Sequence, residues 1–177
     1  MKQFLLFCIF QLFLFSAMGQ EKRLALVIGN ANYDKDDALK NPVNDALLMK
    51  ETLEKLNFEV ILDTNIRTRN DLLNIINLFG EKRKNYSVGF VYYAGHGVQI
   101  DGDNYILATK ENYASKINVK DNGVNVDRFL EYFKLAKNEI NILILDACRN
   151  NPFEKNWTGS SRSLEDGLGL APIPSST

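Results

Sequence analysis

Two side chains stand out for the chemistry they could do together: His96, the only histidine in the sequence, and Cys148, one of two cysteines. His96 sits between Gly95 and Gly97 in the run Tyr92-Tyr93-Ala94-Gly95-His96-Gly97, where the glycines let the backbone turn sharply and approach a substrate closely. Cys148 follows an apolar run in Asp146-Ala147-Cys148-Arg149-Asn150. An imidazole with a near-neutral pKa can hold a cysteine as its thiolate or shuttle its proton, and can later protonate a leaving amine. Taken singly, each has a plainer explanation. A histidine in a Gly-rich turn is commonly a loop residue, and a cysteine at the end of an apolar strand is commonly an inert core residue. The pairing is more informative, because both residues fall just past the ends of strand-like segments.

Those segments define the scaffold. Leu24–Ile28 is a continuous apolar run stopped by Gly29-Asn30, as expected for a strand buried on both faces. Val43 to Leu56 carries Ala46, Leu47, Leu53 and Leu56 at helical spacing, with Pro42 near the start where its missing N–H costs least. Phe58–Leu62 reads as a second strand. Thr68-Arg69-Asn70-Asp71 opens a second helix whose apolar stripe is Leu72, Leu73, Ile75, Ile76 and Phe79, ending before Gly80. Ser87–Ala94 is a third strand and Asn104–Ala108 a shorter one, part of a small hairpin. Val126–Leu135 reads as a helix, and Ile140–Leu145 as a fourth main strand. Apolar strands alternating with helices predict a three-layer α/β/α sandwich around a mostly parallel sheet. In such sheets functional groups gather beyond the carboxyl ends of the strands, where His96 and Cys148 both fall.

The first 19 residues stand apart. Lys2 precedes an apolar run from Phe4 to Phe15, interrupted only by Gln11, and Ala17-Met18-Gly19 offers small residues for cleavage before Gln20. This reads as a signal peptide; the other reading, a membrane anchor, is disfavoured because the run is short of the roughly 20 residues a spanning helix needs. Export to the periplasm or beyond the cell is the expectation, with no membrane span after cleavage. Cys8 lies inside this segment and lacks the small residues that precede a lipid-modified cysteine, so the cleaved chain keeps one thiol and cannot form an internal disulfide. An unpaired cysteine in an oxidising compartment is a liability unless it is buried or used. The chain has 21 basic and 22 acidic residues; loss of Lys2 leaves 20 against 22, a balance that gives no reason to expect a nucleic acid or an anionic membrane as partner.

The strand-Gly-His-Gly segment, followed 52 residues later by strand-Asp-x-Cys, resembles the caspase-like cysteine peptidases. The likeness is closest to their bacterial metacaspase-like branch, which carries similar Tyr-x-Gly-His-Gly and Asp-Ala-Cys-Arg-Asn segments. It also takes in Arg23 to Tyr33 and Asn41-Pro42-Val43-Asn44-Asp45-Ala46, and extends from about Lys22 to Phe153. Animal caspases carry Gln-Ala-Cys-x-Gly where this chain has Asp146-Ala147-Cys148-Arg149-Asn150. The resemblance implies a Cys148–His96 dyad without an obligatory third member, and an oxyanion hole made by the N–H groups of Gly97 and Cys148. It also implies that Asp45 and Asp146 line the pocket for the residue before the scissile bond, so that Arg or Lys is selected in protein or peptide substrates. Asp45 has a second explanation as an acid favoured at a helix N-terminus. For Asp146, an acid at the end of so apolar a strand calls for a functional reason.

Family members continue into further strands that complete the sheet and one wall of the groove, and the expectation is that this chain lacks them. Residues 20–153 would form the catalytic domain and residues 154–177 a linker or truncated segment, open to self-cleavage at Lys155 or Arg162. Three consequences stay open: a fragment or truncated product, a catalytic half completed by a second chain, or a non-catalytic module that binds a partner through an open sheet edge. Acyl transfer to an acceptor other than water is the runner-up chemistry for the dyad. No cofactor is identified and no metal site is assigned. Calcium dependence is implied by the resemblance alone, and Asp101, Asp103 and Asp121 read as solvated loop residues.

Overall fold

Leu24, Ala25, Leu26, Val27 and Ile28 are all fully buried, because the strand they form, β1 (Arg23–Gly29), lies inside a parallel sheet. The computed structural model describes residues 21–34, 37–136, 140–147 and 153. Elements follow in the order β1, α1 (Pro42–Lys55), β2 (Phe58–Thr64), α2 (Arg69–Arg83), β3 (Val88–Gly95), β4 (Gly97–Ile100), β5 (Asp103–Ile106), α3 (Lys116–Asn122), β6 (Val124–Asn125), α4 (Asp127–Ala136) and β7 (Ile140–Ala147). The main sheet has the order β2-β1-β3-β7 with every pair parallel, and a small antiparallel sheet has the order β4-β5-β6.

Alternation along β1 divides the core in two. Leu24, Leu26 and Ile28 face α2 and α4, where Leu72, Ile76, Phe79, Phe129 and Phe133 close the larger cluster. Ala25 and Val27, with Phe90, Tyr92 and Ala94 of β3, face Ala46 and Leu53 of α1. This is the three-layer sandwich expected from the sequence. Helix α1 packs over β1, β2 and β3. Its first turn comes so close that a Cβ at Gly29 would lie 2.7 Å from the Cβ of Ala46. Helix α2 starts at Thr68, whose side chain accepts the Asp71 N–H, and α3 starts at Ser115, which accepts from Asn118.

Three features differ from the sequence reading. Helix α2 does not stop before Gly80 but continues to Arg83, since the bare Gly80 position lets the Tyr132 ring of α4 lie against the helix. The segment after His96 is itself a strand, β4, so Gly97 opens the hairpin instead of a loop. Helix α3 and the two-residue β6 were not anticipated; both are too short to show a period. Arg83 is fully buried. Its guanidinium donates to the Ile140 carbonyl at 3.0 Å, to Asn141 Oδ1 at 2.8 Å and to the Tyr86 carbonyl, pinning the start of β7 beside β3.

Candidate active site

The ends of β3 and β7 meet in register. Gly95 is paired with Ala147, so the residues immediately before His96 and Cys148 are directly opposed on neighbouring parallel strands. Neighbouring strands lie about 4.8 Å apart. Cys148 itself lies outside the described residues, as do Arg149 and Asn150.

His96 is only 4 % exposed and is held by three other segments. The turn after β1 is fixed by two asparagines. Asn30, fully buried, donates from Nδ2 to the Leu107 carbonyl at 2.9 Å and accepts the Ile66 N–H at 3.0 Å. Asn65, at a positive φ of 53°, accepts the N–H groups of Ala31 and Asn32, each at 2.9 Å. That turn delivers Tyr33, whose hydroxyl accepts the His96 N–H at 3.0 Å and whose ring lies 4.3 Å from the imidazole. The Tyr93 hydroxyl donates to the His96 carbonyl at 2.7 Å and sits 3.2 Å from the Tyr33 hydroxyl. A Cβ at Gly95 would fall 2.7 Å from the Tyr93 hydroxyl oxygen, so the tyrosine pair needs glycine there. Burial keeps both phenols neutral, raising Tyr33 well above its ordinary value and Tyr93 to about 12.

The ring is fixed as well. Nε2 lies 2.6 Å from the Asp37 carbonyl oxygen, and since a carbonyl can only accept, Nε2 carries the proton. Nδ1 is buried and makes no hydrogen bond among the described residues, which leaves its lone pair open. Burial pushes the imidazole pKa below its ordinary value, and the Asp37 carbonyl partly offsets that by favouring the charged ring.

Gly97 has an N–H to offer. The Leu107 N–H donates to the His96 carbonyl at 3.2 Å, which makes Gly97 and Ile106 a non-hydrogen-bonded pair of the β4–β5 ladder. The Gly97 N–H therefore points away from β5. Asp45 and Asp146 line one cavity of about 380 Å³ together with Gly95, Ala147 and Pro42. Asp45 reaches it from the first turn of α1 and Asp146 from the end of β7, where its Oδ2 accepts the Tyr92 hydroxyl at 3.0 Å. That bond and burial raise the Tyr92 pKa, burial contributing most.

Sequence reasoning missed Asp37, Tyr33 and Tyr93 as parts of this site. Asp37 acts through its backbone, so no side-chain pattern could have marked it; the tyrosines lay within the segments quoted above, but nothing in their spacing assigned them a partner. Asp101 is ion-paired with Lys120 at 2.5 Å, and among the described residues no group of three or more His, Cys, Asp or Glu is placed to hold a metal ion. The described residues also include no helix long and apolar enough to cross a membrane. The proposed signal segment, residues 1–19, and the proposed linker, residues 154–177 with Lys155 and Arg162, lie outside the described residues.

This arrangement can be set against known proteins. Residues 22–169 match the caspase domain model. The human mucosa-associated lymphoid tissue lymphoma translocation protein 1 is 28% identical over 127 residues, and its mouse homolog 27% identical over the same length. Those alignments cover 72% of this chain but 15% of each relative, so the chain spans a small part of the curated proteins it matches. A parallel sheet whose opposed strand ends lead into His96 and Cys148 agrees with the family match across most of the sequence, and the chain belongs to the caspase domain family.

Proposed function

We propose that this protein is a cysteine endopeptidase that cleaves after Arg or Lys, with Cys148 as nucleophile and His96 as its acid–base partner. The observation that carries this reading is the cavity holding Asp45 and Asp146 directly against Gly95 and Ala147, the residues before His96 and Cys148. Two carboxylates there suit a guanidinium or an ammonium, with charge-assisted bonds to fix it. In the mechanism, the Cys148 thiol gives its proton to Nδ1 of His96 and the thiolate sulfur attacks the scissile carbonyl carbon. The oxyanion takes the N–H groups of Gly97 and Cys148. The imidazolium returns its proton to the leaving nitrogen as the C–N bond breaks, leaving a thioester. Water, deprotonated by His96, then releases the acid and restores the thiol. The Asp37 carbonyl keeps the ring in the Nε2–H form throughout, so that Nδ1 remains the working nitrogen.

The test uses peptides differing only in the residue before the scissile bond. Arg and Lys peptides are cut, the Asp peptide is not, and Cys148→Ala cuts none while keeping its fold by circular dichroism. Faster cleavage of the Asp peptide would refute the role of the two acids, and an active Cys148→Ala protein would refute the mechanism.

A second reading, a caspase-like module that binds a partner chain without catalysis, has one observation in its favour. Ile140, Ile142 and Ile144 of β7 are 48%, 39% and 39% exposed, an apolar stripe along one face of the strand. A partner bound equally by the wild type and Cys148→Ala, with no peptide cleaved by either, would favour it.

A further inference from the structure

A second cavity, of about 390 Å³, lies beside the groups that touch His96 and shares no lining residue with the one that holds Asp45 and Asp146. One wall is Tyr33, Asp34 and Asp37; the other is the 109–114 loop with Glu111 and Tyr113; Phe153 also lines it. Three of its lining residues, Tyr33, Asp37 and Phe153, touch the imidazole. The Tyr33 ring lies 4.3 Å from the His96 ring and the Phe153 ring 5.8 Å from it, and the Asp37 carbonyl accepts the Nε2–H hydrogen bond. Tyr113 stacks behind Phe153 at 5.2 Å.

We propose that this cavity receives a cationic side chain from one of the first two residues on the leaving side of the scissile bond. The inference rests on the peptidase reading above and adds a second specificity site to it. Protonation by His96 requires the leaving nitrogen to sit against the imidazole. With the preceding residue anchored beside Gly95, the chain beyond that nitrogen can run past the ring toward Tyr33 and Phe153, which touch the ring and line the second cavity. Each extended residue advances about 3.3–3.6 Å, so one or two residues bring a side chain to the cavity mouth.

The chemistry of the walls selects the charge. Asp34 is already paired with Lys110 at 2.8 Å. Asp37 and Glu111 form no ion pair among the described residues, and the Oε1 of Glu111 accepts only a backbone N–H, from Arg69 at 2.8 Å. Two carboxylates in a cavity that three aromatic residues also line suit a Lys or Arg, whose stem can pack on the rings while its charge meets the acids. A glutamate would meet like charge.

Quenched peptides carrying Arg before the scissile bond, with Lys, Ala or Glu at the two positions after it, test this in the full chain. Lys peptides should be cut about tenfold faster than Ala peptides in kcat/KM, and Glu peptides slower than either, with the spread shrinking in high salt. Glu111→Gln keeps an oxygen for the Arg69 N–H; it should cut the advantage of the Lys peptide over the Ala peptide by roughly threefold or more. Equal turnover of the three peptides overturns the subsite while leaving the Arg requirement standing. If no peptide is cut after Arg, the peptidase reading fails instead. The subsite is then judged by fluorescence anisotropy of the same peptides on Cys148→Ala, where equal binding of Lys and Glu forms overturns it and tighter Lys binding, weakened by Glu111→Gln, supports it.

Discussion

The ends of β3 and β7 lie side by side yet are built in opposite ways. β3 is buried at all eight positions, and the residue that follows it is fixed at its N–H, its carbonyl and one ring nitrogen by Tyr33, Tyr93 and Asp37. β7 alternates between exposed and half-buried residues. Leu143, Leu145 and Ala147 pack on the α2 and α4 side, while Ile142, Ile144 and Asp146 sit on the α1 side, beyond the reach of a helix that covers β1, β2 and β3. The proposed acid–base group, His96, is thus preorganised by the core, and the acid proposed to read substrate is held by one strand and one tyrosine. Changes at the first end should therefore cost stability together with catalysis, whereas changes at the second should alter selectivity alone.

The largest effect that would sharpen this contrast is loss of the imidazole. His96→Ala should lower kcat by about 10²–10⁴-fold, the usual contribution of a positioned acid–base group. Cleavage at the wild-type rate would remove His96 from the mechanism.

Next in size is a matched pair of substitutions, one at each strand end. Tyr93→Phe deletes the donor to the His96 and Leu107 carbonyls, both buried, at a cost of about 1–3 kcal/mol. The Tm should fall by roughly 2–4 °C for each kcal/mol, with a drop in kcat alongside. Asp146→Asn changes an exposed side chain, and its amide oxygen can still accept from Tyr92, so stability should move by no more than about 0.5 kcal/mol. Selectivity for Arg should weaken by about 1.5–3 kcal/mol instead. Thermal melts and peptide kinetics on both proteins decide the matter; equal melting losses would break the comparison.

The smallest effect is in pH. Burial holds the folded pKa of His96 below the ordinary value of about 6.5. Between those two values the unfolded chain binds more protons, so stability is full above the ordinary value and is lost as pH falls through the folded one. In Cys148→Ala, where the thiol proposed to pair with His96 no longer complicates the titration, the Tm should decline between about pH 7 and 5, and His96→Ala should flatten part of that decline. An unchanged slope would mean that the ring titrates as it does in water.

The meeting of the two strand ends was legible because it rests on chain order. Apolar runs ending in Gly95-His96 and Asp146-Ala147-Cys148 announced strand ends, and a parallel sheet puts such ends at the same edge. That Asp45 and Asp146 share a cavity could be expected from family resemblance, though not from their spacing of about a hundred residues. Helix α2 was cut short at Gly80 because a glycine normally weakens a helix, and only the Tyr132 ring from α4 explains why one sits there. Arg83 showed the same limit, since an arginine near a helix end reads as solvated until the carbonyls of β7 and of the following turn surround it.

The sequence by itself determined which chemistry is available: one imidazole, one thiol beyond the N-terminal apolar run, and strands ordered to bring them to one side. Periodicity and composition are local, so they carry that much. Tertiary structure decided how the imidazole is held: its tautomer comes from a backbone carbonyl 59 residues away, and its main chain from two phenols at positions 33 and 93. A hydrogen bond to a backbone carbonyl leaves no mark on residue type, and a buried polar network exists only once the chain has closed around it.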